Sequence, residues 1–175
     1  MIWKGASKME FRELTMADEP LYCNYISEWI DHDEKIVPSI TNITRYENFS
    51  QLVHFLADSK SSDDFVDNTT LFLIDDDEII GAANIRHELN DRLKKAVGHI
   101  GYGVRKKYRG KGYGTKILKK SLDYASRIGI TEVLVTCKQG NDASAAVIMN
   151  NGGEEIESYH RDDGTVFRRF IIENG

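Results

Sequence analysis

The sequence predicts an α/β (α+β) fold, a sheet with helices packed on it. Three observations carry this expectation. Short runs of alternating or wholly apolar residues recur, as in MEFREL, TTLFLI and TEVLVTC. Between them lie stretches whose apolar residues fall at helical spacing. The two kinds are interleaved along the chain rather than segregated, in the order strand, two helices, three strands, helix, strand, helix, two strands.

Each element has its own justification. Residues 9–14, MEFREL, alternate and form a first strand. Asp18, Glu19 and Pro20 open a helix, with proline near its first turn. Its buried face carries Leu21, Tyr25, Ile26 and Trp29. Residues 31–42 are irregular. A second helix runs from about Tyr46 to Ala57, with Phe49, Leu52, Val53 and Leu56 inward. Residues 58–68, DSKSSDDFVDN, read as a surface loop. Residues 69–86 form a hairpin, two apolar runs around an acidic turn at Asp75 to Asp77. A further strand spans about Ala96 to Val104. Ile117, Leu118, Leu122, Ala125 and Ile128 then mark a helix that Gly129 stops. TEVLVTC is a short buried strand. Asn141 and Asp142 cap a helix that reaches about Asn150 and ends at Gly152 and Gly153. EEIESYH and TVFRRFII close the chain as a hairpin turning at Asp162 to Gly164.

Length and composition narrow the function. The chain has 175 residues, 41% hydrophobic and 29% charged, which suits one domain over 1–175 with a full core. A net charge of −5 argues against nucleic acid as a partner. The residues from MIWKGASK to MEFREL lack the apolar centre of a signal peptide, and no run is long enough to span a membrane, so a cytoplasmic protein is expected. Cys23 and Cys137 are far apart and read as reduced thiols, with Cys137 in the core and no cysteine placed as an acyl carrier. His32, His54 and His160 form no metal pattern, so no metal is expected.

The sharpest signal is GHIGYGVRKKYRGKGYGTKIL, residues 98–118, with glycines at 98, 101, 103, 110, 112 and 114 and five cations from Arg105 to Lys111. Glycine lets backbone N–H groups approach a ligand, and the cations say the ligand is an anion. A P-loop would need G-x-x-x-x-G-K-S/T, and the residue order here is wrong. The dinucleotide fingerprint needs G-x-G-x-x-G, but residue 115 is Thr. What remains is R-x-x-G-x-G, Arg109, Gly112 and Gly114, between a strand and a helix. The first-turn amides of a helix have no partners within it, and the dipole adds about half a positive charge there. A pyrophosphate fits such a place.

This motif resembles the signature of the GNAT superfamily of acyl-CoA-dependent N-acetyltransferases, Arg/Gln-x-x-Gly-x-Gly/Ala. The strand before it, the amphipathic helix after it, VLVTC, N-D-A-S and the glycine-ended helix follow in the family's order. The likeness covers residues 69–173 well and the first 60 only as a strand and two helices. IRHELN at 85–90 and GHIGY at 98–102 also resemble a bacterial subgroup of acetyltransferases. The resemblance implies a mixed, largely antiparallel sheet splayed in its middle, with helices on both sides. It implies acetyl-CoA as co-substrate, an amine as acceptor, and a homodimer. Carried over, Val104 ends the strand that pairs with the pantetheine arm. Arg109, Gly110, Lys111, Gly112, Tyr113, Gly114 and Thr115 form the pyrophosphate loop. Asn141 and Ser144 lie near the cofactor.

The acceptor end leaves alternatives open. Acetyl transfer from a thioester needs a neutral amine, and a base works best near ambient pH, which histidine meets. His99, near where many relatives carry a glutamate, is either that base or a histidine bonded within the sheet. Strand alternation puts His99, Gly101 and Gly103 on one face, unless a bulge shifts them. Many relatives place a tyrosine acid where this chain has Ile148, which cannot donate a proton. Ser144, Tyr113 and Tyr159 are the substitutes. Arg86, His87 and Glu88 either bind the acceptor or form a polar loop, Arg86 for a carboxylate and Glu88 for an amine. Trp29 is core or, with the residues around Val37 and Pro38, covers the acceptor. The rivals to acetyl transfer are an acyl-CoA sensor without turnover, a nucleotide-binding module and an interaction domain without ligand.

Overall fold

A computed structural model describes residues 8–58 and 66–175. Most of the expected 58–68 loop, and the first seven residues, lie outside the described residues. Strand β1, Met9–Arg12, leads through Arg12, whose guanidinium grips the Asp18 carboxylate with Nη1 at 2.8 Å and Nη2 at 2.9 Å. Helix α1, Glu19–Asp31, starts there with Pro20 in its first turn, where no N–H is missed. It buries Tyr22, Tyr25, Ile26 and Trp29. Leu21, expected on that face, is only partly buried, because Tyr22 takes the inward position. Residues 31–42 are irregular, with a 3-10 turn at Ser39–Thr41. Helix α2, Phe49–Ala57, begins three residues later than expected, where the Asn48 side chain accepts the Gln51 N–H.

Strands β2, Asn68–Asp75, and β3, Glu78–Arg86, form the expected hairpin, with Asp76 at φ 52 in the turn. The expected strand from Ala96 is a correction. Residues Asp91–Ala96 are a short helix, α3, capped by the Asn90 side chain on the Leu93 N–H. Gly98 turns the chain at φ 75, and strand β4 spans only Ile100–Val104. Helix α4 is Tyr113–Arg127. Ile128 falls after it and is 40% exposed, so it does not belong to the buried stripe. Strand β5, Glu132–Lys138, helix α5, Asp142–Asn150, and strands β6, Glu154–His160, and β7, Val166–Glu173, complete the order.

The strands form two antiparallel sheets, ordered β1-β2-β3-β4 and β5-β7-β6. They touch where Gly98 bridges Val135 and the His99 N–H donates to the Leu134 carbonyl at 2.7 Å, then splay apart. Alternation along β2 sends Phe72 and Ile74 to a core with α1 and α2, and Leu71 and Leu73 to cores with α4 and α5. Helices therefore cover both sides of the sheet. Full burial of Phe72 or Phe170 is worth about 1.5–3 kcal/mol each.

Candidate active site

The site begins with the hydrogen-bond parity of β4. Arg86 N–H donates to the His99 carbonyl, and Arg105 N–H to the Ile80 carbonyl, in a register that pairs Gly101 with Asn84 and Gly103 with Ala82. In an antiparallel ladder alternate residues face the partner strand. Gly101 and Gly103 thus bond to β3. The backbone groups of Tyr102 and Val104 face the gap where β5 has diverged. Only the Val104 carbonyl in this pair has a side-chain partner, Arg109 Nε at 2.8 Å.

The chain then crosses a 3-10 turn at Lys106–Tyr108 and enters α4 through Gly110 at φ 72 and Gly112 at φ 80. A side chain at either would be strained. Gly112 is the N-cap and offers no capping side chain, and the first helical bond runs from Lys116 N–H to its carbonyl. The N–H groups of Tyr113, Gly114 and Thr115 are left pointing out of the helix end.

The open edge of β4, this helix end and the start of α5 share one cavity of about 670 Å³. Of the residues expected at a cofactor, Val104, Arg109, Gly110, Gly112, Gly114, Thr115, Asn141 and Ser144 line it. Lys111 and Tyr113 do not lend it their side chains. Lys111 Nζ donates to the Lys107 carbonyl at 2.9 Å, and Tyr113 packs edge-on against Tyr108 at 5.5 Å. The loop's cations are largely engaged. Arg105, 3% exposed, is bound by Glu28 at 2.6 Å and by Asn24. Lys107 pairs with Glu78 at 2.6 Å. Arg109 lies over the Trp29 ring and meets Glu34 at 2.5 Å on the cavity wall.

Trp29 and Val37 also line this cavity. A Cβ on Gly103 would stand 2.1 Å from the Val37 carbonyl oxygen, so only glycine allows that segment to lie on β4. The Val37 segment therefore fills the space beside Gly103. Ile148 is fully buried, and its place holds no acid. Tyr102, which the sequence reading passed over, supplies a hydroxyl instead. Its Oη lies 3.0 Å from Ser144 Oγ, and both residues line the cavity. Burial pushes the phenol up to about 12, so it stays protonated at neutral pH. Tyr159 lies in the other sheet, stacked on Phe167.

His99, expected as the base, is placed differently. Its Nδ1 accepts the Leu134 N–H at 3.0 Å, and it is not among the residues lining the cavity. Burial, with the nearby Arg86 charge, lowers its pKa to about 4 and makes it a weak proton acceptor. Arg86, His87 and Glu88 are not brought together. His87 Nε2 meets Thr69 Oγ1 at 2.9 Å, Glu88 is exposed, and Arg86 faces a second cavity. Among the described residues no group of acids, histidines and cysteines could hold a metal, and no helix is long and apolar enough to cross a membrane.

Comparison with known proteins bears on the fold and the family. None of the curated proteins matches the chain at a significant level. Solved structures match in fold. The ribosomal-protein-S5-alanine acetyltransferase of Vibrio fischeri has a TM-score of 0.68 at 16% identity over 97% of each chain. YncA of Salmonella typhimurium, solved with its cofactor acetyl-CoA, has 0.63 at 18% over 95% of this chain and 94% of that one. A spermidine N-acetyltransferase chimera of Vibrio cholerae SpeG and hSSAT has 0.62 at 14% over 96% and 97%. The model of the GNAT acetyltransferase domain matches residues 8–154, which take in both sheets' meeting point, the glycine turn and α5, and the chain belongs to that family of acyltransferases.

Proposed function

We propose that the protein moves an acetyl group from acetyl-CoA to an amine by direct attack in a ternary complex. One observation carries this reading: the unpaired edge of β4 and the uncapped start of α4 open into the same cavity. A pantetheine arm is a chain of amides that needs a strand-like partner, and a pyrophosphate needs free N–H groups. The cavity offers both in the order the cofactor carries them.

The amine nitrogen attacks the thioester carbonyl carbon, the C–S bond breaks, and the sulfur leaves as thiolate. Tyr102 donates a hydrogen bond to that sulfur, with Ser144 holding its hydroxyl. Full proton transfer from a phenol near 12 to a thiolate, whose thiol titrates near 8.5, is uphill, so stabilisation through the hydrogen bond is the role assigned. Among the described residues the one carboxylate lining the cavity, Glu34, is tied to Arg109. The acceptor therefore enters as the free amine and loses its extra proton to water.

Thermal unfolding tests the cofactor. At about 100 times Kd, acetyl-CoA adds roughly 2.7 kcal/mol, a rise of about 5–10 °C for a chain of this size. CoA gives a similar rise and ATP little. Gly112→Asp sets a carboxylate where the pyrophosphate would lie, and aspartate tolerates φ 80 better than most side chains. The strain lowers its own Tm by a few degrees, and the further rise with acetyl-CoA disappears. No shift in the wild type sinks the reading. A shift with no turnover on any amine is the result for a non-catalytic acyl-CoA sensor, the reading that Ile148 favours.

A further inference from the structure

A second cavity, of about 300 Å³, lies beside the Gly101 face of β4. The two adjoin at the Val37–Pro38 peptide, with Val37 lining the cofactor cavity and Pro38 this one. Its walls carry Arg45, Arg86 and Arg92, with the buried Asn84 at its back. A Cβ on Gly101 would sit 3.8 Å from Arg86 Nη1, so the guanidinium lies directly against the strand that ends at the open edge.

Arg86 is held in an unusual balance. Its Nη1 donates to the Gly98 carbonyl at 3.2 Å, and no ion pair to it occurs among the described residues. Burial, together with the nearby Arg92 charge, lowers its pKa to about 10. A half-buried guanidinium facing another cation is unfavourable unless something of opposite charge joins it. Arg45 is exposed and, among the described residues, makes only long contacts to Ser39, at 3.4 and 3.5 Å. The fork of a guanidinium suits the two oxygens of a carboxylate or phosphate.

We infer that this arginine-walled cavity anchors the acceptor, a small primary amine that carries an oxyanion, with Arg86 as the main contact and Arg92 and Arg45 at the rim. This rests on the acetyltransferase reading above. The volume suits a molecule of amino-acid or dipeptide size, at the small end of ligand sites. An oxyanion held against Arg86 leaves the amine on the side of Gly101 and the Val37–Pro38 peptide, toward the cofactor cavity. A polyamine, the acceptor named for one structural neighbour, would meet three cations instead.

Matched pairs test it by acetyl-CoA consumption: glycylglycine against its amide, alanine against alaninamide, phosphoethanolamine against ethanolamine, with spermidine apart. At least one acid is expected to exceed its neutral partner tenfold or more in kcat/KM, and which pair responds separates carboxylate from phosphate. Arg86→Gln raises KM for that acid at least tenfold with the acetyl-CoA KM unchanged, and Arg86→Lys recovers part of it. Arg92→Gln, at an exposed position, weakens the acid severalfold should the Arg86 variant not fold. Neutral amines or spermidine used as well as the acids overturn the proposal, as do unchanged acid KM values in both variants. If acetyl-CoA raises the Tm but no amine turns over, the acids alone are added to the CoA complex. A further rise with acids and not amides sustains the anchor, and none overturns it. Failure of acetyl-CoA itself to raise the Tm strikes the acetyltransferase reading instead.

Discussion

Tyr102 and His99 sit three residues apart and carry opposite expectations. Tyr102→Phe keeps the ring and its packing and removes the O–H that faces Ser144. A hydrogen-bond donor aimed at developing charge contributes about 10²-fold or more, so kcat is expected to fall by roughly that factor with the acetyl-CoA KM unchanged, read by steady-state kinetics. His99 acts on stability. Its ring stays neutral in the fold down to about pH 4, while the unfolded chain takes the proton near 6.5. Between those values the unfolded state binds more protons, so stability falls as pH falls. The urea midpoint of wild type should drop from pH 6.5 to 4, and His99→Gln should flatten that drop. The two residues were not equally legible. The glycine turn of Arg109, Gly112 and Gly114, which lines the cavity, was legible because it is written in local spacing. His99 bonds to Leu134, 35 positions away, and no local pattern announces which strand takes a ring nitrogen. Tyr102 could have been found: it shares a face with Val104, already assigned to the cofactor, two residues on.

Strand β4 works as an element because its two edges differ. The amides of Gly101 and Gly103 bond into β3, while those of Tyr102 and Val104 face the gap. Hydrogen exchange should therefore be fast at Tyr102 and Val104 and slow at the two glycines. Acetyl-CoA should slow the first pair and leave the second as it was. Exchange at Tyr102 and Val104 indifferent to acetyl-CoA would remove the strand-pairing role. Gly103→Ala tests the other face. Its methyl would collide with the Val37 carbonyl, and overpacking of this kind costs about 1–3 kcal/mol, measurable by urea unfolding. The strands, α1, α2 and α4 were legible from period and caps. Helix α3 was not, since six residues are too few to show a helical repeat, and its last residue, Ala96, reads as the start of the strand that ends at Val104.

Across the whole molecule, the buried Arg105–Glu28 pair fastens α1 to the end of β4. The sequence reading counted Arg105 among the cations awaiting an anion, whereas the fold supplies its own. Glu28→Ala strands that guanidinium, 3% exposed, and should cost about 3–5 kcal/mol by denaturant titration. The splay was legible only through family likeness, because nothing in VLVTC or IGYGV says that the two strands meet at one end and part at the other. That meeting has a consequence of its own. The sheets share one seam at Gly98 and Val135, and the turn at Gly129, exposed at φ 86, is where the polypeptide passes from α4 into the second sheet. A cut there divides the chain into a piece that holds the glycine turn and a piece that holds Asn141 and Ser144. Neither alone encloses the cavity. Produced separately and mixed, the two would form a complementation pair, in which bound acetyl-CoA reports that the fragments have found each other.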